Sequence, residues 1–172
     1  IIKSEKWQYH AQKKKVLITS TISSPVYKGA DVILKAAKLL TENTDIEFEW
    51  NVYGVSEIRM QERFTGIKCK AVNVYCRGTI NADQLADRLL HSDVYMHPSY
   101  IDNSPNSVCE AQYIGLPVVA QGVGGVPTLL KDGAGVLVPS NDAYQIAYFI
   151  QKIASNQGFA EQLSKKEIEI SK

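Results

Sequence analysis

Apolar residues along this chain follow two alternating rhythms. Short, almost continuously apolar runs such as Val16-Leu17-Ile18-Thr19 and Val136-Leu137-Val138-Pro139 are separated by stretches in which apolar positions recur every three or four residues. Ile33, Ala36, Ala37 and Leu40 stand at i, i+3, i+4 and i+7, as do Ile146, Phe149, Ile150 and Ile153, so each quartet lines one face of an amphipathic helix. The pattern predicts strands at 16–19, 47–53, 71–76, 94–97, 118–120 and 136–139. Between them it predicts helices: one carrying the 33–40 face, one at 56–64, and one bearing Leu85, Ala86, Leu89 and Leu90 behind the capping box Asn81-x-x-Gln84. Further helices follow at 106–114, closed by Gly115 and Pro117, then after the loop 122–127 into Lys131, and along the 146–153 face. Apolar strands alternating with helices predict a doubly wound α/β fold, a parallel sheet of about six strands covered on both faces.

Residues 1–14, with Lys13-Lys14-Lys15 at their end, read as a connector from a missing N-terminal half, and 15–172 as the domain. The start at Ile1 and the helix-like stretch 165–172, which has no stop signal, lead us to expect a piece of a longer protein.

In a doubly wound sheet, ligands sit beyond the carboxyl ends of the strands, where the strand order reverses. For the order 3-2-1-4-5-6 the reversal lies between the first and fourth strands, which points to the loops 20–28 and 99–106. The first ends in Tyr27-Lys28-Gly29, a cation at a helix start. The second, Ser99-Tyr100-Ile101-Asp102-Asn103-Ser104-Pro105-Asn106-Ser107, is nearly free of apolar side chains and opens a helix at Pro105. Unpaired N–H groups and the positive dipole end at such a start attract an anion. Glu110, four residues after Asn106, shares its helical face. Together with Asp102 it gives two carboxylates flanking an anion site, a setting for a ligand that carries both phosphate and hydroxyls: a nucleotide sugar.

Composition narrows the field without choosing the chemistry. With 172 residues, 45% hydrophobic and 22% charged, the chain can bury a full core. Nineteen basic against 18 acidic residues leave a net charge of +1, so no bulk field recruits nucleic acid or an acidic membrane. Cys69, Cys76 and Cys109 form no C-x-x-C pair, and no signal peptide or membrane-length apolar run occurs. A reducing cytoplasmic compartment is the expectation. No D-x-D pair stands on a loop to hold a divalent ion, so neither metal nor other cofactor is expected.

Several motifs, in order and at sensible spacing, resemble glycosyltransferase family 4, the retaining enzymes of the GT-B fold. They are Lys28-Gly29, Pro98-Ser99, the interval from Asp102 to Glu110, Glu110-Ala111, Gly115-Leu116-Pro117-Val118-Val119-Ala120, Gly124-Gly125-Val126-Pro127 and Gly135 to Pro139. They span about residues 15–155, and the match is to the C-terminal, donor-binding, Rossmann-like half.

The resemblance implies transfer of a sugar from a nucleoside-diphosphate donor to a glycan or lipid-linked acceptor, as in polysaccharide biosynthesis. The acceptor, and any peripheral membrane contact, would belong to the absent half. By position, Glu110 matches the second acid of the Glu-x7-Glu motif and is implied to bind the donor ribose. Lys28, with Gly29, matches the diphosphate lysine. Asn103, Ser104, Pro105, Asn106, Ser107 and Val108 match the loop and helix start whose amides face the phosphates and sugar. Asp102 stands where the family most often has its first Glu, and is with Glu110 the candidate catalytic pair. Residues 19–27 lack the arginine usual before the lysine, which leaves Arg77 as a further candidate at the nucleotide edge.

Each of these has a plainer reading. Lys28 reads equally as a solvated lysine, Asp102 as an Asx turn, and Glu110 as a dipole partner of its helix. Gly122-Val123-Gly124-Gly125 lacks G-x-G-x-x-G spacing and is expected to be a tight turn. His91 is expected to cap a helix, His97 to be a satisfied structural residue able to face the crevice, and Cys109 to be a small core residue. Tyr113, Tyr144 and Tyr148 are expected to be half-buried. Two further functional classes stay open: a nucleotide-sugar epimerase of similar build, and a non-catalytic nucleotide-binding module.

Overall fold

The computed structural model describes residues 4–23, 28–103 and 105–172. Six strands, β1 (Val16–Thr21), β2 (Phe48–Tyr53), β3 (Val74–Gly78), β4 (Val94–His97), β5 (Val118–Gln121) and β6 (Val136–Val138), form one parallel sheet in the order β3-β2-β1-β4-β5-β6. Among the described residues seven α-helices connect and follow them: α1 (Ala30–Asn43), α2 (Arg59–Thr65), α3 (Ala82–Leu90), α4 (Asn106–Ile114), α5 (Val126–Leu129), α6 (Ala143–Ser155) and α7 (Gln157–Ile170). The chain steps from β1 toward β3 and then reverses from β4 toward β6. Right-handed crossovers therefore place α1 and α4 on opposite faces. α1 packs on α6 and α2, and α4 packs on α3 and α7.

The helical stripes read from spacing are the buried ones. Ile33, Ala36, Ala37, Leu40, Ile146 and Ile150 have no exposed surface, and every residue of β4 and β5 is buried. The Asn81 side chain accepts from the Gln84 N–H while the Gln84 side chain accepts from the Asn81 N–H, a complete capping box. His91 closes the same helix, its Nδ1 lying 2.8 Å from the Asp87 carbonyl oxygen.

Several boundaries and side-chain settings differ from the sequence reading, each for a local reason. The third strand begins only at Val74, because Cys69–Val72 forms a 3-10 turn and Asn73 takes a left-handed φ of 56°. α2 starts at Arg59 instead of 56. α5 takes in Val126 and Pro127, since a proline fits a helix's first turn. Cys109 is exposed, because the phase of α4 turns it outward with Glu110. Tyr144 and Tyr148 stand four apart on the outer side of α6 and are exposed, whereas Tyr113 is half-buried.

The segment read as a connector is docked on the domain through Trp7. Its N–H donates to the Ile114 carbonyl at 2.8 Å and its indole Nε1 to that of Ser92 at 2.7 Å. Among the described residues no helix is long and apolar enough to cross a membrane.

Candidate functional site

The reversal of strand order opens a crevice beyond the carboxyl ends of β1 and β4, and its backbone is tightly specified. Gly29, preceding α1, has φ 79°, and a Cβ there would lie 1.8 Å from the Pro98 carbonyl oxygen. Only glycine lets the start of α1 meet the end of β4 so closely. On the other side the turn after β5 braces the loop that follows β4. The Gly125 N–H donates to the Asp102 carbonyl at 3.1 Å, and Cβ atoms at Gly124 and Gly125 would fall 2.0 and 1.9 Å from the Asp102 and Asn103 carbonyl oxygens. The glycine stretch is thus the tight turn expected, and it serves as the seat of the polar loop.

Further bonds hold that loop. Buried Gln121 donates to the Pro98 and Ser99 carbonyls and accepts from the Asn141 N–H. The Tyr100 hydroxyl donates to Asp31 Oδ2 at 2.8 Å. Burial, then Asp31 as acceptor, pushes the Tyr100 phenol well above its ordinary pKa, so it remains a donor at neutral pH.

Within this frame the structure brings five of the predicted residues together. Lys28, Asp102, Pro105, Asn106 and Ser107 line one cavity of about 380 Å³. Pro105 precedes α4 in extended backbone, and Asn106 and Ser107 of the first turn of α4 border this cavity. Lys28 Nζ approaches Asp102 Oδ2 at 3.4 Å. The Ser107 side chain and Thr21 Oγ1 both reach the buried Tyr95 phenol, the latter at 2.8 Å. Asn103 is exposed and Val108 fully buried, its N–H donating to the Pro105 carbonyl at 3.1 Å, and neither lines the cavity. Ser104 and Tyr27 lie outside the described residues.

Two predicted residues sit apart from the cavity. Glu110 is exposed on the outer side of α4, bordering a more apolar groove of about 410 Å³ shared with Ala82 and Ala86 of α3. Arg77 is held on β2, its Nε donating to Asn51 Oδ1 at 2.6 Å and its Nη2 to Glu49 Oε1 at 2.9 Å, and it borders a different cavity of about 470 Å³.

Thr21, Ser23 and Ser99 also line the cavity; they fall in the loops 20–28 and 99–106, to which the sequence pointed without singling them out. His97 faces the crevice, as its place at the end of β4 allowed, and lines the cavity with Nε2 3.4 Å from Asp102 Oδ2. Both of its ring nitrogens are buried without a hydrogen-bond partner, so it is not a satisfied core residue. Burial pushes its pKa down to about 4 against the pull of the Asp102 carboxylate, and Lys28 adds to the fall. The His97 imidazole is therefore neutral at neutral pH. Among the described residues no three His, Cys, Asp or Glu side chains converge as a metal site.

A family profile described as "Glycosyl transferases group 1" matches residues 2–169. The chain belongs to that family. The match runs beyond the motif-bearing stretch at both ends and takes in the Trp7 segment and most of α7.

A D-inositol 3-phosphate glycosyltransferase from Streptomyces bingchenggensis is 34% identical over 82 residues, covering 47% of this chain and 18% of its own length. Sucrose-phosphate synthase from Thermosynechococcus elongatus superposes with a TM-score of 0.77 at 24% identity, over 92% of this chain and 41% of that one. Anabaena HepE, solved in complex with UDP-glucose, superposes with a TM-score of 0.73 at 20% identity, over 92% of this chain and 44% of that one. The structural likenesses establish the doubly wound, Rossmann-like fold. This chain spans about a fifth of the curated relative and under half of either solved structure.

Proposed function

We propose that this domain of a group 1 glycosyltransferase binds the nucleoside-diphosphate sugar donor, as the C-terminal half of a retaining, family 4 enzyme of GT-B build. The observation that carries the reading is the convergence of Lys28, Asp102 and the α4 N-terminus in one crevice at the switch point. A diphosphate placed there meets the Lys28 ammonium and the first-turn amides of α4, which stabilise the charge that builds up on it as the glycosidic bond breaks. Asp102 addresses the sugar, whose ring becomes cationic in the transition state.

Glu110 lies one turn further along α4, a rise of about 6 Å from Asn106, where a nucleoside running along the helix presents its ribose. Arg77 reaches the nucleotide edge only by exchanging its Glu49 and Asn51 partners, so the diphosphate rests mainly on Lys28 and α4. The donor is held by protein groups without a metal. The acceptor is held by a second half, which also excludes water, so this domain alone binds donor without transferring sugar.

The test is calorimetry of the domain against UDP, GDP, ADP and their sugars. One nucleotide is expected to bind, and Glu110→Gln to weaken it at least about tenfold, since charge-assisted bonds to ribose contribute roughly 1.5–3 kcal/mol. Binding of none of these refutes the reading, and unchanged affinity with lowered thermal stability makes Glu110 only a dipole partner. In the full-length protein, Asp102→Asn is expected to lower kcat about 100-fold while leaving bare nucleotide binding intact. Wild-type turnover by that variant would leave Asp102 as a turn former, and interconversion of free nucleotide sugar would indicate an epimerase.

A further inference from the structure

His97 plays no part in the reading above, yet its setting is unusual for a core histidine. Its side chain is 3% exposed, it lines the crevice, and neither ring nitrogen has a hydrogen-bond partner. Buried polar groups are normally paired. Its Nε2 faces Asp102 Oδ2 at 3.4 Å, the same oxygen that Lys28 Nζ approaches at 3.4 Å. One carboxylate oxygen is thus shared by two nitrogens, each slightly beyond the usual N–H···O distance.

We propose that His97 is a positioning residue for Asp102, its Nε2–H taking over the Asp102 oxygen when the Lys28 ammonium turns to a nucleoside diphosphate. The inference rests on the donor-binding reading. A diphosphate carries more charge than one carboxylate, so it draws the flexible Lys28 away from Asp102. Asp102 then needs another donor to keep its orientation toward the sugar.

His97 is suited to that task. It is fixed by packing in β4, and it is neutral, so its N–H directs the carboxylate without adding a second cation that would compete for the phosphates. The main chain of the Asp102 loop is already held by Gly125, so only the Asp102 side-chain torsions remain to be set.

Two measurements decide the point. Long-range 1H–15N correlation on the unliganded domain at pH 7 is expected to give the Nε2–H tautomer of His97; the Nδ1–H tautomer overturns the proposal without reference to any ligand. Calorimetry with UDP and UDP-glucose is then run on wild type, His97→Gln and His97→Leu, with folding followed by thermal unfolding. The Gln amide nitrogen falls near the place of Nε2, so His97→Gln is expected to keep UDP-glucose affinity within about threefold. His97→Leu is expected to lose about tenfold for UDP-glucose and little for UDP.

Equal loss for both ligands, or no rescue by Gln, would show a packing role and overturn the proposal. Should His97→Leu fail to fold, the tautomer and the Gln variant still decide it. Should wild type bind neither ligand, the donor reading for these nucleotides fails, while the tautomer still reports on the His97–Asp102 contact.

Discussion

Replacing Gly125 by alanine tests whether the turn after β5 holds the Asp102 loop in place. Gly125 has φ −83° and ψ −7°, a conformation open to any residue, so the substitution carries no backbone strain of its own. Its cost is steric: the new Cβ would lie 1.9 Å from the Asn103 carbonyl oxygen and 2.9 Å from its carbon. Backbone cannot swing aside as a flexible side chain would, so the two loops must part. Overpacking of this kind costs about 1–3 kcal/mol, and weakening the Gly125 N–H to Asp102 carbonyl bond adds about 1. In a domain of this size each kcal/mol lowers Tm by about 2–4 °C, which makes the expected fall about 4–16 °C.

The control is Gly66→Ala, where φ is 68° but nothing lies within 4 Å of the added Cβ. That variant bears only the left-handed penalty of about 1 kcal/mol. It sits at the end of α2, away from the crevice. Thermal unfolding and nucleotide calorimetry on both proteins check the argument: Gly125→Ala is expected to lose stability and nucleotide affinity, and Gly66→Ala a little stability alone. A Gly125→Ala protein that melts within a degree of wild type and binds nucleotide normally would refute the idea that close approach fixes the loop.

Two further predictions concern buried polar groups. Glu167 of α7 has no exposed surface; its Oε1 accepts from the Val118 N–H at 2.9 Å, its Oε2 has no partner, and burial raises its pKa well above the carboxylate range. A raised folded pKa gives stability that is full below the unfolded value, about 4.3, and is lost as pH climbs toward the folded one. Wild-type Tm is therefore expected to decline from about pH 5 upward and Glu167→Gln to flatten that decline, whereas parallel Tm profiles would refute it. Gln121→Leu keeps the side chain's bulk but leaves the Pro98 and Ser99 carbonyls and the Asn141 N–H without their partner; a loss of about 2–3 kcal/mol in denaturant unfolding is expected, and a neutral result would mean that water replaces the amide.

Periodicity and punctuation alone determined much of this protein. The 33–40 and 146–153 stripes, the Asn81 capping box, the limits of β4 and α4 and the alternation that makes the sheet parallel were all legible, because each depends on residues a few positions apart. The strand order was expected from the fold class and observed, and with it the location of the crevice. Short-range cues failed where one unusual backbone angle overrode propensity, as at Asn73, which delays β3.

Tertiary structure decided which polar residues meet. Lys28 and Asp102 are 74 residues apart in sequence, and only the adjacency of β1 and β4 makes them an ion pair. The loop after β4, held by Gly125, sets Asp102 against His97, whose ring nitrogens lack a hydrogen-bond partner, and the partners on β2 drew Arg77 to another cavity. The glycines of 124–125 read as a turn from sequence, while their use as a seat for the Asp102 loop depends on a carbonyl two ångströms from where a side chain would begin. A hydrophobic pattern records what each residue does toward its own helix or strand. It carries no trace of which loop lies across a cleft, because that depends on how the sheet is ordered and how closely two backbones can approach.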